Sequence, residues 1–83
     1  MSVIVRPHIT EKAMDQMDFE NKMQFIVDID AAKPEISEAI ESAYDVDVAD
    51  VNTQITMEGE KKATVRFVEE EAAQDLASRM GAF

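Results

Sequence analysis

The sequence predicts an α+β fold, a small α/β/α sandwich on an antiparallel sheet, with the element order β-α-β-α-β-β-α. Three observations carry that expectation. Residues 21–30, NKMQFIVDID, alternate in the two-residue period of a strand. Residues 33–45, KPEISEAIESAYD, change to the helical period, with Ile36, Ala39, Ile40 and Ala43 at i, i+3, i+4 and i+7. VADVNTQITM and KKATVRFV then alternate on either side of Glu58-Gly59-Glu60, the pattern of a hairpin closed by a tight turn.

From the N-terminus, Val3–Val5 forms a short edge strand. Thr10 fits the N-cap of a helix reaching about Met17, with Glu11 in the first turn, where the helix dipole favours an anion. Ala13, Met14 and Met17 supply its apolar side. In the next strand Met23, Phe25, Val27 and Ile29 share one face, and Gln24, Ile26 and Asp28 the other. Ile26 makes that second face partly apolar, so the strand is expected to be covered on both sides. Pro34 suits the first position of the second helix, whose wet face is Glu35, Glu38, Glu41 and Ser42. In the hairpin, Val51, Thr53, Ile55 and Met57 are expected to face the core from one strand, and Ala63, Val65 and Phe67 from the other. Asn52, Gln54 and Thr56 then lie beside Lys62, Thr64 and Arg66 on the opposite face. The last segment opens with three glutamates at the positive end of a helix dipole. Ala72, Ala73, Leu76, Ala77 and Met80 form its apolar side, and Gly81 its C-cap.

The chain has 83 residues, read as one domain spanning 1–83 whose core leaves little room for an internal active site. No run approaches the ~18 apolar residues of a membrane span, and no signal-peptide core follows Val3–Val5. With no cysteine there is no disulfide framework. The expectation is a soluble cytosolic protein. Its two glycines, Gly59 and Gly81, form no phosphate loop, and its one histidine has no nucleophile to activate. His8 also lacks a second histidine or cysteine to complete a metal site, so neither enzyme activity, metal nor cofactor is expected. A structural or RNA-facing role suits it better. Met23, Met57 and Met80 fall on core faces, and the aromatics are too scattered to form a base-stacking platform.

Charge is the unusual property: 18 acidic residues against 8 basic, a net of −10. That excludes a non-specific DNA-coating protein, which needs a broadly basic face. It fits a generically acidic protein, a salt-saturated cytoplasm, or a module that docks on basic partners. The charge is unevenly placed. Residues 28–50 carry eight acids and one lysine, whereas residues 61–68 carry Lys61, Lys62 and Arg66 and no acid. Residues 1–12 have a net of +1. Lys61 and Lys62 fit a solvated hairpin tip as well as a contact. The face bearing Asn52, Gln54, Thr56, Lys62, Thr64 and Arg66 fits an ordinary polar sheet face, or one that bonds phosphate and ribose oxygens.

RPHITEKA at 6–13, VNTQ at 51–54 and GEKKATVRF at 59–67 resemble signature segments of the large-subunit ribosomal protein L twenty-three family. KPEISEAIESAYDVDVADVNT looks like its central helix and following strand. Each segment is weak alone, but they fall in order over nearly the whole chain. The resemblance implies a structural constituent of the large ribosomal subunit, binding large-subunit rRNA beside the polypeptide exit tunnel and packing on neighbouring large-subunit proteins. It also implies a share in the docking surface for the signal recognition particle and the protein-conducting channel, with no small-molecule substrate and no membrane insertion. Carried over by position, Arg6, His8, Thr10, Lys12, Asn52, Thr53, Lys61, Lys62 and Arg66 are the candidate rRNA contacts. Glu11 matches the exposed acid that bacterial members offer to a ribosome-bound chaperone.

Two departures qualify the match. MEGEK closes the hairpin in a few residues, where many bacterial members extend a basic loop into the tunnel, so the chain looks archaeal in type. Family members are usually basic, and an acidic version looks haloarchaeal, with its solvent side acidified. The rival reading is a non-ribosomal acidic adaptor that presents Glu35, Glu38 and Glu41 to a basic partner.

Overall fold

Four strands, β1 (Ile4–Pro7), β2 (Lys22–Val27), β3 (Val48–Ile55) and β4 (Lys61–Phe67), alternate with three helices, α1 (Glu11–Phe19), α2 (Lys33–Tyr44) and α3 (Ala72–Arg79). The computed structural model describes residues 3–80. The strands pair antiparallel in the order β1-β2-β4-β3, which makes the fold α+β with the expected element order.

Apolar content follows position in the sheet. Central β2 and β4 supply Met23, Phe25, Val27, Ala63, Val65 and Phe67 to the core, while β3 buries only Val51. Both edges carry irregularities, between Ile4 and Arg6 and between Val48 and Asp50, and Pro7 is tolerated because β1 is an edge. From the helix side, Met17, Ile36, Ile40, Ala73, Leu76 and Ala77 complete the cluster. The second face of β2 is also covered. Gln24 is buried with its amide donating to Gln16 Oε1 of α1 at 2.6 Å, and Ile26 is 2% exposed.

Local chemistry sets the helix ends. Thr10 Oγ1 accepts from Ala13 N at 3.1 Å, the expected N-cap of α1. Ala32 caps α2 without a side-chain acceptor, and Glu35 bonds back to its N–H at 3.1 Å, so half of a capping box is present. At the other end Asp45 adopts φ 55°, the left-handed cap more often given to glycine.

Several boundaries and faces differ from the sequence expectation. β1 is Ile4–Pro7 rather than Val3–Val5, and α1 continues to Phe19. Met14 lies at the exposed margin of α1, and Ile29 lies past the end of β2 and is exposed. Pro34 occupies the second helical position, after Lys33. Ala43 faces solvent, and Tyr44 takes the inward role, stacking on Phe25 with ring centroids 6.1 Å apart. Ile55 and Met57 do not reach the core. Ile55 ends an edge strand and is 59% exposed, and Met57 sits in the turn, fully exposed. The three glutamates precede α3, with Glu71 as its N-cap at φ 64° and Met80 as its C-cap. Gly81 and Phe83 lie outside the described residues.

Candidate nucleic-acid interface

The second face of the sheet carries the polar residues in register. Asn52 pairs with Thr64 and Gln54 with Lys62 across the hairpin. Lys62 in turn faces Ile26, which faces Arg6. Arg66 lies between Asp50 on β3 and Lys22 on β2. Four cations from three strands, Arg6, Lys22, Lys62 and Arg66, therefore project from one face, together with the amides of Asn52 and Gln54, the Thr64 hydroxyl and the Asp50 carboxylate beside Arg66. Alternation along extended strands puts them there, and the register of the central pair fixes their rows.

Two of these cations hold carboxylates. Arg6 Nη2 donates to both oxygens of Glu60, at 3.1 and 3.0 Å, and Lys22 Nζ lies 3.1 Å from Glu20. Lys62 and Arg66 have no side-chain partner among the described residues. A rigid sheet presenting such groups can donate charge-assisted hydrogen bonds to phosphate oxygens without reorganising.

The nine candidate contacts do not all reach this face. Arg6, Asn52, Lys62 and Arg66 do. His8 extends the β1–β2 ladder, its N–H donating to Gln24 O at 2.9 Å. Lys12 and Glu11 are exposed on the first turn of α1, and the Thr10 hydroxyl is engaged as that helix's cap. Thr53 and Lys61 point to the core side. Thr53 pairs with Ala63, and Lys61 Nζ donates to Ala31 O at 2.8 Å. Lys22 was missed by the sequence reading, although it shares the parity of Gln24 and Ile26.

The acids gather elsewhere. α2 packs Ile36 and Ile40 on the core side of the sheet, so its exposed Glu35 and Glu38 lie on the far side of the molecule from Lys62 and Arg66. Glu41, Asp45, Asp47 and Glu69–Glu71 line a concavity between the end of α2 and the start of α3. These features define a small α+β protein with one cation-bearing, hydrogen-bonding sheet face, on which Asp50, Glu20 and Glu60 also stand, and a denser group of acids around α2 and the start of α3.

A family model described as Ribosomal protein L23 matches residues 2–75. The large ribosomal subunit protein uL23 of Halobacterium salinarum is 68% identical over 82 residues, covering 99% of this chain and 98% of the relative. Its counterpart in Haloarcula marismortui is 59% identical over 81 residues, covering 98% and 95%. That of Haloquadratum walsbyi is 57% identical over 82 residues, covering 99% and 98%. The chain belongs to the ribosomal protein L23 family.

Proposed function

We propose that this chain, by its family a ribosomal protein of the large subunit in the cytoplasm and not an enzyme, seats the cation-bearing face of its sheet on large-subunit rRNA beside the polypeptide exit tunnel. The observation that carries the reading is the uneven placement of charge: Lys62 and Arg66 stand on the polar face with no side-chain partner among the described residues, beside only Asp50, Glu20 and Glu60, whereas the larger group of acids lies around α2 and the start of α3. Arg6, Lys22, Asn52, Gln54 and Thr64 complete the contact set, and His8 and Lys12 flank it. The whole chain, 1–83, acts as one unit. Glu11, exposed at the start of α1, belongs to a solvent-facing surface open to the signal recognition particle and the protein-conducting channel, beside contacts with neighbouring subunit proteins.

Salt determines how such a face holds RNA. In concentrated salt the Debye length is only about 3 Å and counterion release gains little, so bulk attraction to phosphate is weak. Direct hydrogen bonds to phosphates and 2′-hydroxyls, with close shape fit, must carry the affinity.

The test is incorporation into large subunits, followed by gradient sedimentation in multimolar potassium chloride. Lys62→Ala and Arg66→Ala are expected to be outcompeted by the unaltered chain, and Glu38→Ala to incorporate equally. Equal incorporation of all three variants would count against the sheet face. Loss with Glu38→Ala alone would place the acidic α2 face, and not the sheet face, against the subunit.

A further inference from the structure

One contact on the proposed RNA face joins residues far apart in sequence. Arg6 on β1 reaches Glu60, at the turn entering β4, although β2 lies between those strands. The register shows the path: Arg6 is opposite Ile26, Ile26 is opposite Lys62, and Glu60 stands two residues before Lys62. The pair therefore lies across β2 at Ile26. Both ends are placed by the backbone. Arg6 is held in the strand ladder. The turn fixes Glu60, with Thr56 N donating to Glu60 O at 2.8 Å, Glu60 N donating to Thr56 Oγ1 at 3.2 Å, and Gly59 at φ 82°.

The grip is partial. Both Glu60 oxygens accept from the single nitrogen Nη2, which leaves Nη1 and Nε without a partner among the described residues, and the Arg6 side chain is half exposed. A phosphate offers oxygens of the same charge and reach as the carboxylate, and it can engage the two free donors first. Once it does, Glu60 is a like charge beside it and is driven away.

We propose that Glu60 is an internal stand-in for an RNA phosphate, holding the Arg6 guanidinium across β2 in the free chain and yielding it when RNA seats on the face. The inference rests on the RNA-binding reading above. Its consequence is selectivity: a stray polyanion must displace Glu60 with little else to gain, whereas the matching RNA also engages Lys62 and Arg66.

The test uses the full chain and large-subunit rRNA transcribed in vitro, with affinity measured over a series of potassium chloride concentrations at which circular dichroism shows each variant folded. Glu60→Gln is expected to bind up to about fivefold more tightly, the range of an exposed ion pair. Its log–log salt slope is expected to change by less than about 0.9, the increment of a whole phosphate contact, because the unaltered chain makes the same contact once Glu60 has yielded. The gain should vanish in the Arg6→Gln/Glu60→Gln double variant. Unchanged or weaker binding by Glu60→Gln would overturn the proposal, showing that Glu60 only pins the turn. A gain that persists without Arg6 would also overturn it, since general charge removal then suffices. If Lys62→Ala and Arg66→Ala weaken binding while Glu60→Gln has no effect, only the exchange falls. If none of these changes matters, the RNA reading falls with it.

Discussion

Asn21 holds three segments of the chain together. Its backbone sits at φ 56°, and its carbonyl accepts from Phe67 N at 3.2 Å. Its amide donates to Phe67 O at 3.2 Å and Glu69 O at 2.6 Å, while Oδ1 accepts from Ala73 N at 3.0 Å in the first turn of α3. One side chain thus ties the α1–β2 connection to the end of β4 and the start of α3, where Glu71 offers no side-chain cap. Asparagine suits both tasks, because it tolerates the left-handed region and carries donor and acceptor together. Asn21→Ala should cost about 2 kcal/mol, combining the lost cap with backbone strain, and Asn21→Gly about 1 kcal/mol, since glycine removes the strain alone. Thermal unfolding in concentrated potassium chloride checks the order. This role was not legible in the sequence: the partners lie 46–52 residues away, so Asn21 reads as an ordinary turn residue. Thr10 was legible because its cap bond closes within three residues.

Within each element, periodicity gave parity correctly and burial only in part. In β3 the odd residues do face the helix side, but α2 covers only the stretch around Val51, and the hairpin runs past it. Hence Met57, expected in the core, is fully exposed, whereas Met23 on central β2 is fully buried. Met23→Ala should cost 2–5 kcal/mol by roughly the cavity rule, and Met57→Ala less than about 0.5 kcal/mol; denaturant unfolding distinguishes them. Similarly, α2 was legible from Ile36 to Ile40, but in its last turn Tyr44, four residues after Ile40, rather than Ala43 lies inward, where its ring stacks on Phe25. The binding face was legible in the hairpin, where Asn52, Lys62, Thr64 and Arg66 lie close in sequence. It was incomplete where the sheet joins distant strands: the register of β4 with β2 adds Lys22, and β1 adds Arg6 with its Glu60 partner. Thr53 and Lys61 were drawn in by the family's signature, and strand parity turns them to the core side.

For the whole molecule, a net charge of −10 on 83 residues makes self-repulsion a general term in stability. Three ion pairs among the described residues, each with at least one partner half exposed or more, offset little of it. The unfolding midpoint is therefore expected to rise with potassium chloride, steeply below the molar range, and a flat dependence would contradict a salt-adapted surface. The uneven placement of that charge underlies the assignment of the cation-bearing sheet face to RNA. The most direct test uses the absence of native cysteine to place one thiol at a time, Asn52→Cys on the sheet face and Glu38→Cys on α2. Each is labelled with a maleimide in the free chain and in purified large subunits. Both are expected to react in the free chain, and only Asn52→Cys to be protected in the subunit. Reactive Asn52→Cys with protected Glu38→Cys would place the acid layer, not the sheet face, against the ribosome.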